Sequence, residues 1–159
     1  MEYRQVINAI IVSRPFPLQT VLDLMRSRND AATQHLASLI AAERDAQKTL
    51  VMLLQYRDEY SARFRQAVQN GLGQPEWRNY QEFLDRLDEA VRQQEQAAKL
   101  KAAHTAVGQA EWQRQRSRLS AFDTLSQRHR AGEVRRELRH EQKLQDEFAA
   151  RGRDEQQEQ

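Results

Sequence analysis

Apolar residues recur along this chain at alternating steps of four and three. From Leu18 the steps land on Leu22, Met25, Asn29, Ala32, Leu36, Leu39, Glu43, Ala46, Leu50, Leu53, Arg57, Tyr60, Phe64 and Ala67, a mostly apolar series. Steps averaging 3.5 residues keep one helical face turned toward a neighbouring helix, so the series predicts a coiled-coil seam. Its polar members, Asn29, Glu43 and Arg57, fall fourteen residues apart. Either they fix the register at a cost in stability, or they turn their heads to solvent.

A second run opens at Pro75, a favourable residue in a first helical turn because its missing N–H would have no partner there. Trp77, Tyr80, Leu84, Leu87 and Val91 continue the same rhythm. Between Gln93 and Gly108 the stripe becomes rich in alanine, with only Leu100 and Val107 large, which predicts a close approach of helices. It thickens again at Trp112, Leu119, Phe122 and Leu125, and past Gly132 the apolar positions Val134, Leu138, Leu144 and Phe148 are irregularly spaced. The runs are separated by Gln69-Asn70-Gly71-Leu72-Gly73-Gln74-Pro75, a dense turn signal. The expected fold is all-α, a long antiparallel two-helix coiled coil whose second helix is the longer. The helices would span roughly 50 and 75 residues, or about 75 and 110 Å. The coiled coil is expected over 16–150, its turn near 69–75, with an extension at 1–15, of which Met1 to Ile11 carries no heptad, and a disordered tail at 151–159.

Composition narrows the picture. The 159 residues carry 25 Lys+Arg against 23 Asp+Glu, are 39% apolar, and have a mean hydropathy of −0.92. Glycine and proline are both absent from Leu18 to Asn70, whereas sheet folds need such residues at every turn. A doubly wound sheet or β-sandwich is thereby excluded. The lack of cysteine removes disulfides, thiolate nucleophiles and sulfur-ligated metals, and points to a cytosolic protein. The apolar stretch Val6 to Val12 is interrupted by Asn8 and is too short to span a bilayer, so neither secretion nor membrane insertion is indicated.

No catalytic constellation is visible, and no cofactor is expected. Gly71-Leu72-Gly73 lacks the lysine of a phosphate loop. His35, His104, His129 and His140 have no mutual ligand spacing and read as solvated helix residues. Asp58 and Glu59 are adjacent and do not face each other. Two surfaces stand out instead. Leu53, Tyr56 and Tyr60 step down the first helix while Phe83, Leu87, Ala90 and Gln94 step down the second, beside the Tyr80, Leu84, Val91 seam. A two-helix rod buries one stripe per helix, so this excess either wraps the seam edges or docks a partner. From Gln113 to Lys143, nine Arg/Lys against four acids form a local +5. That is either a solvated face or a site for an acidic protein partner, and it carries no nucleic-acid-reading motif.

The stretch Leu53-Leu54-Gln55-Tyr56-Arg57-Asp58-Glu59-Tyr60, then Gly71, then Trp77-Arg78-Asn79-Tyr80-Gln81-Glu82-Phe83-Leu84 resembles the bacterial flagellar export protein family FliJ, the stalk of the type III export apparatus. The resemblance covers about Phe16 to Ala150. It implies a non-catalytic antiparallel coiled coil, shaped like the shaft of a rotary ATP synthase, that binds the hexameric flagellar export ATPase and the cytoplasmic domain of the export gate and helps cycle export chaperones. The implied location is cytoplasmic, at the inner membrane face of the flagellar base. The gate-binding positions of the family match Leu53, Tyr56, Tyr60, Phe83, Leu87 and Ala90. At the rim, Thr49 stands for a longer polar side chain and Gln94 for a histidine. The ATPase contact is expected on Arg128, Arg135 and Arg139, which share a helical face in the basic stretch. Val12-Ser13-Arg14-Pro15-Phe16-Pro17 resembles how family members begin, so translation starting at Val12 is expected to leave 1–11 as an artefact. The alternatives are a generic coiled-coil adaptor or chaperone, or a nucleic-acid-associated helical protein using the arginine-rich stretch.

Overall fold

The structure, a computed structural model, describes residues 15–157, with side chains as far as Arg151. The extension and the start at Val12 therefore fall outside the described residues, except for Pro15. Two helices account for nearly everything else: α1, Gln19–Gln69, of 51 residues, and α2, Gln74–Gln157, of 84 residues. No strand occurs among the described residues. Helix α2 continues through 151–157, which composition assigns to a tail; Arg, Glu and Gln favour helix, and the single Gly152 lowers that preference without ending it.

The turn is built as its residues dictate. The Asn70 N–H donates to the Gln66 carbonyl at 3.1 Å and the Gly71 N–H to that of Val68 at 3.2 Å. Gly71 has φ +86°, a left-handed conformation that caps a helix end without a Cβ penalty. Helix α2 starts with Pro75 in its first turn, and the Trp77 N–H donates to the Gly73 carbonyl at 2.9 Å.

The chain divides into two compact units. The unit Asn29–Gln115 holds the turn and the stretches of α1 and α2 that flank it. Its contacts run antiparallel: Phe64 meets Trp77, Tyr60 meets Tyr80, Gln94 bonds Ala46, Thr105 bonds Leu39, and Trp112 bonds Thr33. The α1 seam residues of this unit, from Asn29 to Ala67, are all half-buried. On α2 the seam runs through Leu84, Leu87, Val91, Gln94, Ala98, Ala102, Thr105, Gly108 and Trp112. Leu100 and Val107, by contrast, are 56% and 68% exposed. The large residues of the alanine-rich stretch thus face outward, and the small ones meet α1. A Cβ on buried Gly108 would lie 2.5 Å from Cδ1 of Leu39, so the expected close approach is made there.

The other unit consists of 15–28 and 116–157. Leu22 is fully buried and Met25 nearly so, while among the described residues of this unit Ser126 and Glu133 are the buried polar ones of α2. Arg26 Nη2 donates to Asp123 Oδ1 at 3.1 Å, and the Phe16 ring packs on His129 with centroids 5.6 Å apart. His129 is therefore half-buried rather than a solvated helix residue. Leu125, which the spacing places with Leu119 and Phe122, is 44% exposed instead.

Candidate functional site

Beside the turn, the seam is filled by rings. Tyr60 of α1 lies 4.3 Å from Phe83 and 5.2 Å from Tyr80 of α2, centroid to centroid. Phe64 stacks on Tyr80 at 5.4 Å and reaches Trp77 at 6.4 Å. Such tilted and offset ring pairs contribute beyond the area they bury. The ladder props up Phe83, which remains 43% exposed, and one turn from Tyr60 the Tyr56 ring is 59% exposed. Leu53, Leu87 and Ala90 are half-buried beside them. In an antiparallel pair the seam-flanking positions of one helix lie alongside the equivalent positions of the other. Tyr56 of α1 therefore shares a side with Phe83 and Ala90 of α2. The result is a shallow apolar surface with two exposed rings on a stiff aromatic base.

The rim residues behave differently. Gln94 Nε2 crosses the seam to donate to the Ala46 carbonyl at 2.8 Å, and Thr49 Oγ1 donates to the Asp45 carbonyl of its own helix at 3.0 Å. Gln94 thus ties the helices together. Further along the same unit, a hollow of about 460 Å³ over Leu39, Val107 and Gly108 brings His35 and His104 to one place. Their spacing in sequence gives no sign of this, since they lie on different helices. Glu111 at its edge is held by Arg114 at 3.0 Å and Gln115 at 2.6 Å. No group of three or more His, Cys, Asp or Glu among the described residues could hold a metal ion.

The aromatic surface and the turn lie inside the region that known proteins share. A family model described as Flagellar FliJ protein matches residues 14–158. The chain belongs to the FliJ family. It is 31% identical over 134 residues to the flagellar FliJ protein of Salmonella typhi and 29% identical over 134 residues to that of Escherichia coli (strain K12). Each alignment takes in 84% of this chain and 91% of the relative. Membership makes the chain a component of flagellar protein export.

In this family member the basic stretch is only partly neutralised. Arg136 Nη1 bonds Glu133 Oε1 at 2.5 Å, and His129 Nε2 approaches the same oxygen at 4.0 Å. Glu133 is buried and these two side chains surround it, so Arg136 is committed to its own helix. Arg128, Arg135 and Arg139 are exposed. Steps of seven and four set them on one side of α2, turned away from the seam. No helix among the described residues is long and apolar enough to cross a membrane.

Proposed function

We propose that this chain is a non-enzymatic stalk of the flagellar type III export apparatus, coupling the hexameric export ATPase to the export gate and assisting the cycling of export chaperones. It acts in the cytoplasm, peripheral to the inner membrane at the flagellar base. The observation that carries the reading is the pair of exposed rings, Tyr56 and Phe83, on a rigid aromatic base in a FliJ-family chain. Rings bury a large area with few rotors, and truncating one at an interface centre costs about 2 kcal/mol or more. Leu53, Tyr56, Tyr60, Phe83, Leu87 and Ala90 form the gate-binding surface. Arg128, Arg135 and Arg139 meet acidic loops of the ATPase ring.

The two surfaces use different stretches of α2, so they are separable by mutation. A Tyr56→Ala, Phe83→Ala double variant, folded by circular dichroism, loses binding to the gate's cytoplasmic domain and keeps ATPase stimulation. Exposed ion pairs are weak singly, at about 0 to 1 kcal/mol, so single arginine changes have little effect. The Arg128→Ala, Arg135→Ala, Arg139→Ala triple variant loses most ATPase stimulation, in a salt-sensitive manner, and still binds the gate domain. Normal gate affinity in the first variant, or normal stimulation in the second, defeats the corresponding assignment.

A further inference from the structure

Helix α1 begins at Gln19 and Phe16 packs on His129, but α2 runs on to Gln157. From Val134 to Arg151 every residue except Glu137 is exposed. Among them Val134, Leu138, Leu144 and Phe148 are 54%, 60%, 44% and 74% exposed. At 3.6 residues per turn these four fall within about a third of the helix circumference. They make one apolar stripe that no described residue covers.

We propose that this stripe pairs antiparallel with the same stripe of a second copy of the chain. The spacing is self-complementary. Val134 and Phe148 lie equally far on either side of Glu141, and so do Leu138 and Leu144. A two-fold axis at Glu141 sets Val134 against Phe148 of the second copy and Leu138 against its Leu144, large residue on large residue. The charges obey the same symmetry. Arg135 and Arg136 stand six and five residues before the midpoint, and Glu147 and Asp146 stand six and five after it. Antiparallel pairing sets the more basic half of each helix level with the more acidic half of the other, whereas a parallel pair would set like against like; these four side chains lie well off the stripe, so they bias the orientation without forming ion pairs across it. Arg139 and Lys143 also come level, farther still from the stripe. Glu141 meets its own copy at the axis, and that like-charge contact keeps the pair weak and concentration-dependent. Because the contact is isologous, association stops at a dimer. One consequence rests on the functional reading above: the pair occupies the same stretch of α2 as Arg135 and Arg139, so the dimer must open before this stretch meets the ATPase.

The chain contains no cysteine, so single cysteines report the geometry in the full-length protein. Under mild oxidation Glu141→Cys forms a disulfide-linked dimer much faster than Lys143→Cys, which lies on the opposite face. With Glu141 intact, a mixture of Val134→Cys and Phe148→Cys proteins cross-links to each other faster than either does to itself. In sedimentation, Leu138→Asp with Leu144→Asp abolishes the dimer, and Glu141→Leu shifts its formation to roughly tenfold lower concentration. Equal rates at positions 141 and 143, preferential self-linking at 134 and 148, or a dimer indifferent to the aspartates each overturns the proposal. None of these readouts depends on the ATPase or the gate, so failure here leaves the stalk reading standing.

Discussion

Gly108 and Leu39 meet so closely that the glycine's missing side chain is part of the packing. A branched side chain at 108 would displace Leu39, whose Cδ1 lies 2.5 Å from the would-be Cβ. Gly108→Val is expected to lower stability by about 1 to 3 kcal/mol, read as a drop in melting temperature. The Leu39→Ala background should recover part of that loss, because the clash is then gone. Two tyrosines one turn apart make a similar contrast. Tyr60 touches two rings across the seam, and Tyr60→Ala should cost about 2 kcal/mol or more. Tyr56 is mostly exposed, and Tyr56→Ala should change stability by no more than about 0.5 kcal/mol, both read by urea titration. Hydrogen bonds from Arg92, then Gln93, together with the Arg92 charge, hold the Glu89 carboxyl below its ordinary value. A lowered carboxylate favours the folded state at pH above its unfolded value, and that contribution fades as pH falls through the folded one. The pair is fully exposed on one helix, so Glu89→Gln should leave the melting temperature at neutral pH nearly unchanged.

Between the two helices, the seam contains one layer that polar residues share. Thr33 bonds Trp112, and one turn further along each helix Asn29 and Gln115 come opposite one another. Asn29 Oδ1 and Gln115 Oε1 are both buried without a hydrogen-bond donor. Such groups cost about 1 to 3 kcal/mol each, yet a polar layer penalises slipped registers more than the native one. The Asn29→Leu, Gln115→Leu double variant should therefore melt higher than the parent and, in sedimentation, populate larger species as register control weakens. A variant that melts lower would show that the amides find donors in solution. The buried Oδ1 shows that Asn29 does not turn its head to solvent. Arg57 does, since it reaches out to Asp58 at 3.1 Å with its side chain 36% exposed.

Across the whole molecule, little is deeply buried: among the described residues the buried apolar side chains are Leu22, Met25, Val91 and Ala98. The slope of stability against urea scales with the surface that unfolding exposes. A smaller slope than that of a compact protein of 159 residues is expected, together with a strongly helical circular dichroism spectrum. A slope typical of a globular domain would mean that much more apolar surface is covered in solution.

The order and type of the elements were legible from the chain itself. A four-three rhythm, the absence of Gly and Pro from Leu18 to Asn70, and Asn70-Gly71 at the turn are local features, and local backbone preference with helix periodicity suffices to read them. The aromatic surface was legible too, because Tyr56 and Phe83 exceed what a single stripe needs. Tertiary structure decided what each helix does with its second choice of face. In the alanine-rich part of α2, counting by size places Leu100 and Val107 in the seam, but the helices approach closely enough at Gly108 that only small residues fit between them. It also decided which polar residues serve the interior. Gln94 became a tie to Ala46 and His129 a seat for Phe16, while the exposed His35 and His104 came to line one hollow. Each of those roles depends on a residue far away in sequence, set opposite by the hairpin register, and periodicity within one helix carries no information about the other.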